Sequence, residues 1–351
     1  MLCARQSRRW NMRLHEQGKM KKILNDPGAY VDETLDGLCL AYSAYYKRSA
    51  PEARVIVRAH PKSAKKVAIV TGGGSGHLPV FTGYVGHGLA DACAIGDVFS
   101  SPSVDQIVEA IRAVNSGTGV LLLQGNYSGD NMNFEMASEM VDLEGIETKI
   151  VRVTDDVASA SADERLKRRG VAGLIYAYKI AGAKAESGAN LKEVAEAAQK
   201  AVEATRSMGV ALTPCTVPAA GKPTFTLADN EMEIGMGIHG ERGVRRGPLK
   251  PADAIAEEIF SLLLTDLPLS TADHVSVLVN SLGATPLEEL LIVFRYVARR
   301  LAELKVQIVM PLVGRYATSM EMTGMSLSIC KLDSALEALL KAPCDSPFLR
   351  I

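Results

Sequence analysis

The sequence has no excess of positive charge. Its 39 basic residues face 40 acidic ones, for a net charge of −1. Nothing is left over to neutralise a phosphate backbone, which argues against nucleic acid as the main partner. Its six cysteines, Cys3, Cys39, Cys93, Cys215, Cys330 and Cys344, form no C-x-x-C pair. Scattered over a chain this long, they fit reduced thiols in a cytosol better than disulfides or a zinc site. No apolar run approaches the roughly 18–20 residues of a membrane span, so no membrane partner is expected. There is no internal repeat and no low-complexity tract. Residues 1–19, MLCARQSRRWNMRLHEQGK, lack the apolar core of a signal peptide. They are basic, hold the single tryptophan, Trp10, and are expected to be an alternative start or a poorly ordered extension before Met20.

What is present is a globular composition: 351 residues, 47% hydrophobic and 23% charged. That length suits two domains, here expected over 20–207 and 208–351. Short apolar runs alternate with helical patterns. Val67–Thr71, Gly119–Leu123 and Lys149–Val153 are apolar without alternation, as in strands covered on both faces. Helices are predicted over Ile107–Val114, Gly173–Ala181 and Asn190–Ser207. The fold class is therefore α/β, with a mostly parallel first sheet flanked by helices and a smaller mixed second domain. In the second half, strands are predicted at Val210–Leu212, His274–Val279, Val306–Val313 and Met325–Lys331. Thr285 and Glu288 have the spacing of a capping box around Pro286. Glu241–Ala256 is charged, carries proline and is expected to be a connector.

Three loops carry candidate chemistry. The first, TGGGSGH (Thr71–His77), follows a strand. It is not a Walker loop, because no Gly-Lys-Ser/Thr follows, and the last position of G-x-G-x-x-G is His77. It can be a tight strand-to-helix turn, or glycines that bring backbone amides close to a ligand. His77 lies just past the strand end, where open α/β sheets bind ligands. The second loop, QGNYSGD (Gln124–Asp130), ends in an acid that is either a helix N-cap or a general base. The third, EIGMGIHGERG (Glu233–Gly243), holds His239 among glycines that leave its ring approachable, so it is either structural or a nucleophile towards a carbonyl. His15, His60, His87 and His274 read as surface or packing residues. The acids Asp155, Asp156, Asp229, Glu231 and Glu233 are expected to be solvated loop residues rather than metal ligands.

Taken together, TGGGSGH, NYSGD (Asn126–Asp130) and GIHGE (Gly237–Glu241) carry a resemblance. They are joined by TVPAAGKPTFTLADNEMEIG (Thr216–Gly235) and NSLGATPLEEL (Asn280–Leu290). From Met20 nearly to the end, the chain resembles the substrate-binding subunit of the dihydroxyacetone kinase family. That resemblance implies a homodimer whose ligand is a short ketose. His239 matches the histidine whose ring nitrogen adds to the ketone as a hemiaminal. His77 and Asp130 match the residues on the hydroxyls, and Gly74, Ser75 and Gly76 the loop that lines them.

The resemblance also implies that this chain binds no cofactor. ADP or ATP with magnesium would sit on a separate helical subunit, either exchanged or recharged by a phosphotransferase relay. Two positions depart from the family pattern. Gly125 stands where a lysine usually precedes the Asn-Tyr, and Leu78 where a glutamate usually follows the loop histidine. These departures leave room for two other readings: a kinase subunit for a four-carbon ketose such as erythrulose, or a ketone sensor acting on a regulatory partner. The expected location is the cytoplasm.

Overall fold

The computed structural model describes residues 21–61 and 65–351, so the expected extension over 1–19 lies outside the described residues. The first half contains, in chain order, α1 (Tyr30–Ala41), β1 (Tyr46–Arg48), β2 (Val55–Arg58), β3 (Ala68–Ser75) and β4 (Ala92–Val98). Then come α2 (Val104–Val114), β5 (Val120–Gly125), α3 (Ser128–Asp142), β6 (Thr148–Val153), α4 (Leu174–Glu186) and α5 (Leu191–Glu203). The six strands form one sheet in the order β1-β2-β4-β3-β5-β6. β4, β3, β5 and β6 run parallel, while β1 and β2 join antiparallel at one edge.

Strands β3 and β5 are buried almost throughout, which explains their unalternating apolar sequence. Two helices start on capping boxes, Ser103 with Gln106 and Asn190 with Glu193. In each, side chain and backbone satisfy one another's first-turn amides. Helix α5 buries Leu191, Val194, Ala198, Ala201 and Val202, the stripe that its period dictates.

The second half comprises β7 (Thr205–Thr213), β8 (Glu231–Ile234), β9 (Arg245–Pro248), α6 (Ala252–Asp266), β10 (His274–Ser281), α7 (Leu287–Glu303), β11 (Gln307–Gly314) and β12 (Thr323–Leu332). Its sheet also has six strands, in the order β11-β10-β12-β7-β8-β9. Only β10 and β11 pair parallel. Helix α8 (Ser334–Lys341) and a hairpin of β13 (Asp345–Ser346) and β14 (Leu349–Arg350) end the chain. They return to the first half: Asp345 bridges to His87, and α8 packs on α4.

Helix α4 ties the halves together. The Tyr178 hydroxyl meets Thr71 Oγ1 of β3 at 2.7 Å, and that of Tyr176 meets Ser276 Oγ of β10 at 3.0 Å. One hydrophobic cluster runs from Ile69 and Leu121 through Tyr176 to Leu278, Leu312 and Cys330. Burying these rings is favourable because their polar tips are paired.

Several sequence expectations change. The helix predicted to Ser207 ends at Glu203, and β7 begins at Thr205, inside the predicted span. The strand wins because Thr205–Ala211 is buried and pairs along its length with β12, with Val210 and Ala211 also pairing with β8. The capping box at Thr285 does not form. Thr285 Oγ1 instead donates to Gly324 O at 2.7 Å and accepts from Gly324 N, and Pro286 is itself the cap position. The connector over 241–256 contains strand β9 and the first turn of α6. Cys39, Cys93, Cys215, Cys330 and Cys344 are free thiols. No helix among the described residues is long and apolar enough to cross a membrane.

Candidate functional site

The site follows from how the first sheet is wound. The chain leaves β3 to form β4 on one side, then crosses to form β5 on the other. At such a switch point the connections diverge and leave a crevice at the carboxyl ends of the strands. Here β3 pairs with β5 only over Ala68–Val70, so the glycine-rich end of β3 stands free of β5. Three connections meet at that end: Gly76–Leu78 after β3, Phe99–Ser101 after β4, and Asn126–Asp130 after β5.

Gly76 turns the chain with φ +98°, a conformation that side chains disfavour. It delivers His77 into the interior, 1% exposed. The His77 ring stacks on Phe99, centroids 4.8 Å apart and planes at 17°. The second half closes over it: Met320 N donates to Gly76 O at 2.8 Å, and His77 Nδ1 lies 2.6 Å from Thr318 O. A carbonyl oxygen only accepts, so Nδ1 carries the ring proton and Nε2 presents a lone pair. Nε2 is buried with no hydrogen-bond partner in the protein. Burial, aided by nearby His239, pulls the His77 pKa down to about 3, so the ring is neutral.

Asp130 is not a helix cap. Helix α3 starts at Ser128 with Tyr127 in the cap position, and Asp130 is a first-turn residue. It is 8% exposed, and Oδ1 has no partner in the protein. Burial pushes its pKa up from 3.8 to about 6, while the Ser101 hydroxyl and the charge of His239 pull it back. Near neutral pH it is mostly a carboxylate, close to the range suited to a general base.

His239 comes from the loop after β8 and reaches the same place. Its ring centroid is 4.8 Å from that of His77, 4.7 Å from Tyr127 and 5.4 Å from Phe99. It keeps 21% of its side chain exposed, so the site is open to solvent on this side. Its Nδ1 lies 2.8 Å from Glu241 Oε1. The glycine loop, Asp130 and His239 are thus brought together, whereas His87 and His274 lie elsewhere, facing Glu186 and Glu337. Tyr127 Oη and Gln124 Oε1 are further buried polar atoms without a partner in the protein.

Some expected roles differ. Asp155, Asp156 and Glu233 are buried rather than solvated. Asp155 accepts from the amides of Val171 and Gly173, Asp156 pairs with Arg169, and Glu233 accepts from Gly243 N and Arg246. No cluster of three or more His, Cys, Asp or Glu side chains that could hold a metal ion occurs among the described residues. Gly125 ends β5 beneath the Tyr127 ring. Leu78, with Tyr30, Arg315 and Glu321, lines a cavity of about 500 Å³ that shares Gly74, Ser75, Gly76 and His77 with the site but includes neither Asp130 nor His239.

Residues 36–348 match the Dak1 domain. The chain belongs to the Dak1 family. This Dak1 chain is 43% identical over 332 residues to the dihydroxyacetone-binding subunit DhaK of PTS-dependent dihydroxyacetone kinase 2 from Listeria innocua, covering 95% of the chain and 100% of that protein. It is 42% identical over 335 residues to the L-erythrulose kinase of Pectobacterium atrosepticum, covering 94% of the chain but only 56% of that longer protein. Among solved structures, the dihydroxyacetone kinase operon co-activator DhaQ superposes with a TM-score of 0.83 at 34% identity, covering 89% of the chain and 96% of the co-activator.

Proposed function

We propose that this chain is the ketose-binding subunit of a dihydroxyacetone-type kinase and that it holds its substrate covalently on His239. The observation that carries the reading is the meeting of two imidazoles 4.8 Å apart with a buried carboxylate oxygen that has no protein partner. A ligand with one electrophilic carbon and flanking hydroxyls satisfies all three groups. A ring nitrogen of His239 forms a C–N bond to the ketone carbon. The C=O electron pair moves to oxygen, which takes a proton from solvent, giving a hemiaminal. The positive charge on the ring faces the Glu241 carboxylate. Such a tether fixes a substrate too small to be gripped by surface contact, and it rejects glycerol, which has no carbonyl.

With the ketone anchored, a terminal hydroxyl lies against His77 Nε2 and Asp130, with Gly74, Ser75 and Gly76 lining it. Asp130, assisted by His77, takes the hydroxyl proton as the oxygen attacks the terminal phosphoryl group, and the nucleoside diphosphate leaves. Base assistance of this kind is worth roughly 10²–10⁴-fold. The nucleotide and magnesium belong to a separate helical subunit, since the glycine loop has neither phosphate-binding pattern. The Listeria relative, matched over its full length, is itself named as a subunit. The reading includes a homodimer working in the cytoplasm.

Two observations keep second readings in view. Gly125 removes a charged side chain beside the pocket, and the Pectobacterium relative acts on L-erythrulose, so a four-carbon ketose is the alternative substrate. The likeness to an operon co-activator favours, as the non-enzymatic alternative, a ketone sensor. Native mass spectrometry with dihydroxyacetone tests the central claim. An adduct is expected on the wild type and none on H239A. Free ketone in the pocket, with His239 unmodified at saturation, refutes it.

A further inference from the structure

We propose that Glu241, braced by Arg169, is a positioning residue that locks His239 in one tautomer, with the proton on Nδ1 and the lone pair on Nε2 aimed at the ketone. This deepens the reading of His239 as the anchoring nucleophile and rests on it. A neutral imidazole otherwise divides between two tautomers, and only the nitrogen without a proton can attack a carbonyl.

The lock is read from two contacts on one carboxylate. Glu241 Oε2 accepts from the backbone amide of His239 at 3.0 Å, and Oε1 lies 2.8 Å from His239 Nδ1. The amide is a donor that cannot switch roles. A carboxylate offers acceptors on both oxygens, so the ring nitrogen facing it must be the one that donates. The carboxylate is kept ionised. Burial works to raise its pKa, but His239, its own backbone amide and Arg169 together hold it well below the usual range. Arg169 Nη1 stands 3.9 Å from Glu241 Oε2. Its guanidinium is fixed by Asp156 at 2.9 Å and by Gly235 O at 3.0 Å. Gly237 leaves the space: a Cβ there would lie 2.1 Å from Glu241 Oε2 and 2.6 Å from Arg169 Nη1. The other titratable groups near the His239 ring are neutral His77, Tyr127 and Asp130, with the apolar Phe99 ring beside them.

The arrangement makes a specific demand on E241Q. An amide has one accepting and one donating end. The accepting end must stay on the His239 backbone N–H, so the NH2 group turns to Nδ1 and requires a lone pair there. The ring proton moves to Nε2, and the nucleophile is lost although shape and size are kept. The test is ¹⁵N NMR of ring-labelled protein without ketone, with the His239 signals assigned by H239A, followed by titration with dihydroxyacetone. The wild type is expected to be protonated on Nδ1 and E241Q on Nε2. Capture by E241Q should weaken by roughly 10–100-fold, in line with loss of a group that orients a functional histidine. The readout that general damage would not give is the tautomer itself: E241Q should keep a folded spectrum while its His239 ring proton moves to Nε2. A wild-type ring protonated on Nε2, which needs no variant to detect, overturns the assignment. So does an E241Q protein with wild-type tautomer and capture. Absence of any adduct on the wild type overturns the functional reading instead, because the tautomer spectra are recorded without ketone.

Discussion

Replacing Asp130 by asparagine should make the protein more stable and nearly inactive at once. The carboxyl is 8% exposed, and burial raises its pKa from 3.8 to about 6. Its protonated form is favoured by the fold, so the stability it contributes is full below about 4 and is lost as pH rises through about 6. The difference between the two pKa values corresponds to about 3 kcal/mol at pH 8. Asparagine never ionises and escapes that loss. D130N should therefore melt higher at pH 8, by on the order of 5 °C for a chain of this size. The gain should vanish near pH 4, where both side chains are neutral. Turnover should fall by roughly 10²–10⁴-fold while the ketone adduct persists, because the base is removed and the anchor is not. Wild-type kcat/KM should fall about tenfold per pH unit below about 6, and His77, neutral down to about 3, should add nothing to that limb. Paired thermal melts at pH 8 and pH 4, with turnover on the same preparations, give the answer. A lower melting temperature at pH 8, or turnover within threefold of wild type, refutes the reasoning.

The purified chain should capture ketone yet transfer no phosphate from ATP until a helical nucleotide-bearing subunit is added; steady turnover without that subunit would reveal a nucleotide site in this chain. Gly76→Ala should cost about 1–3 kcal/mol and abolish ketone binding. Its φ is +98° and an added Cβ would lie 2.9 Å from the Phe99 ring that stacks on His77; wild-type affinity by calorimetry would show that the turn tolerates a side chain.

Much of this was legible in the sequence, for physical reasons. Strands buried on both faces are continuous apolar runs, so β3 and β5 could be placed, and with them the loops at their carboxyl ends; β6, expected to be covered on both faces, is an edge strand that buries only Val151 and Val153. His77 and Asp130 stand out because those loops follow strand ends directly. Other features leave no local trace. Thr318 fixes the His77 tautomer from 241 positions away. Arg169 acts through a carboxylate in a different half of the chain. Asp130 is spaced like a cap, and only the backbone shows that the cap position belongs to Tyr127. The start of β7 was hidden because Thr205–Ser207 follows a strong helical pattern with no glycine or proline between. Glu241 lay within the recognised GIHGE motif, but its role depends on two oxygens meeting two donors, which spacing alone does not convey.

The proposed anchor and the proposed base belong to separate sheets. His239 hangs from the antiparallel half, whereas His77 and Asp130 hang from the parallel half, and α4 rivets the two. On the proposed reading, catching a ketone and handing it a phosphate are then separable: loss of the groups on the loops after β3 and β5 should stop the handover and leave the trap intact, so that a kinase subunit and a ketone-binding protein without transfer would differ by a few residues on one sheet.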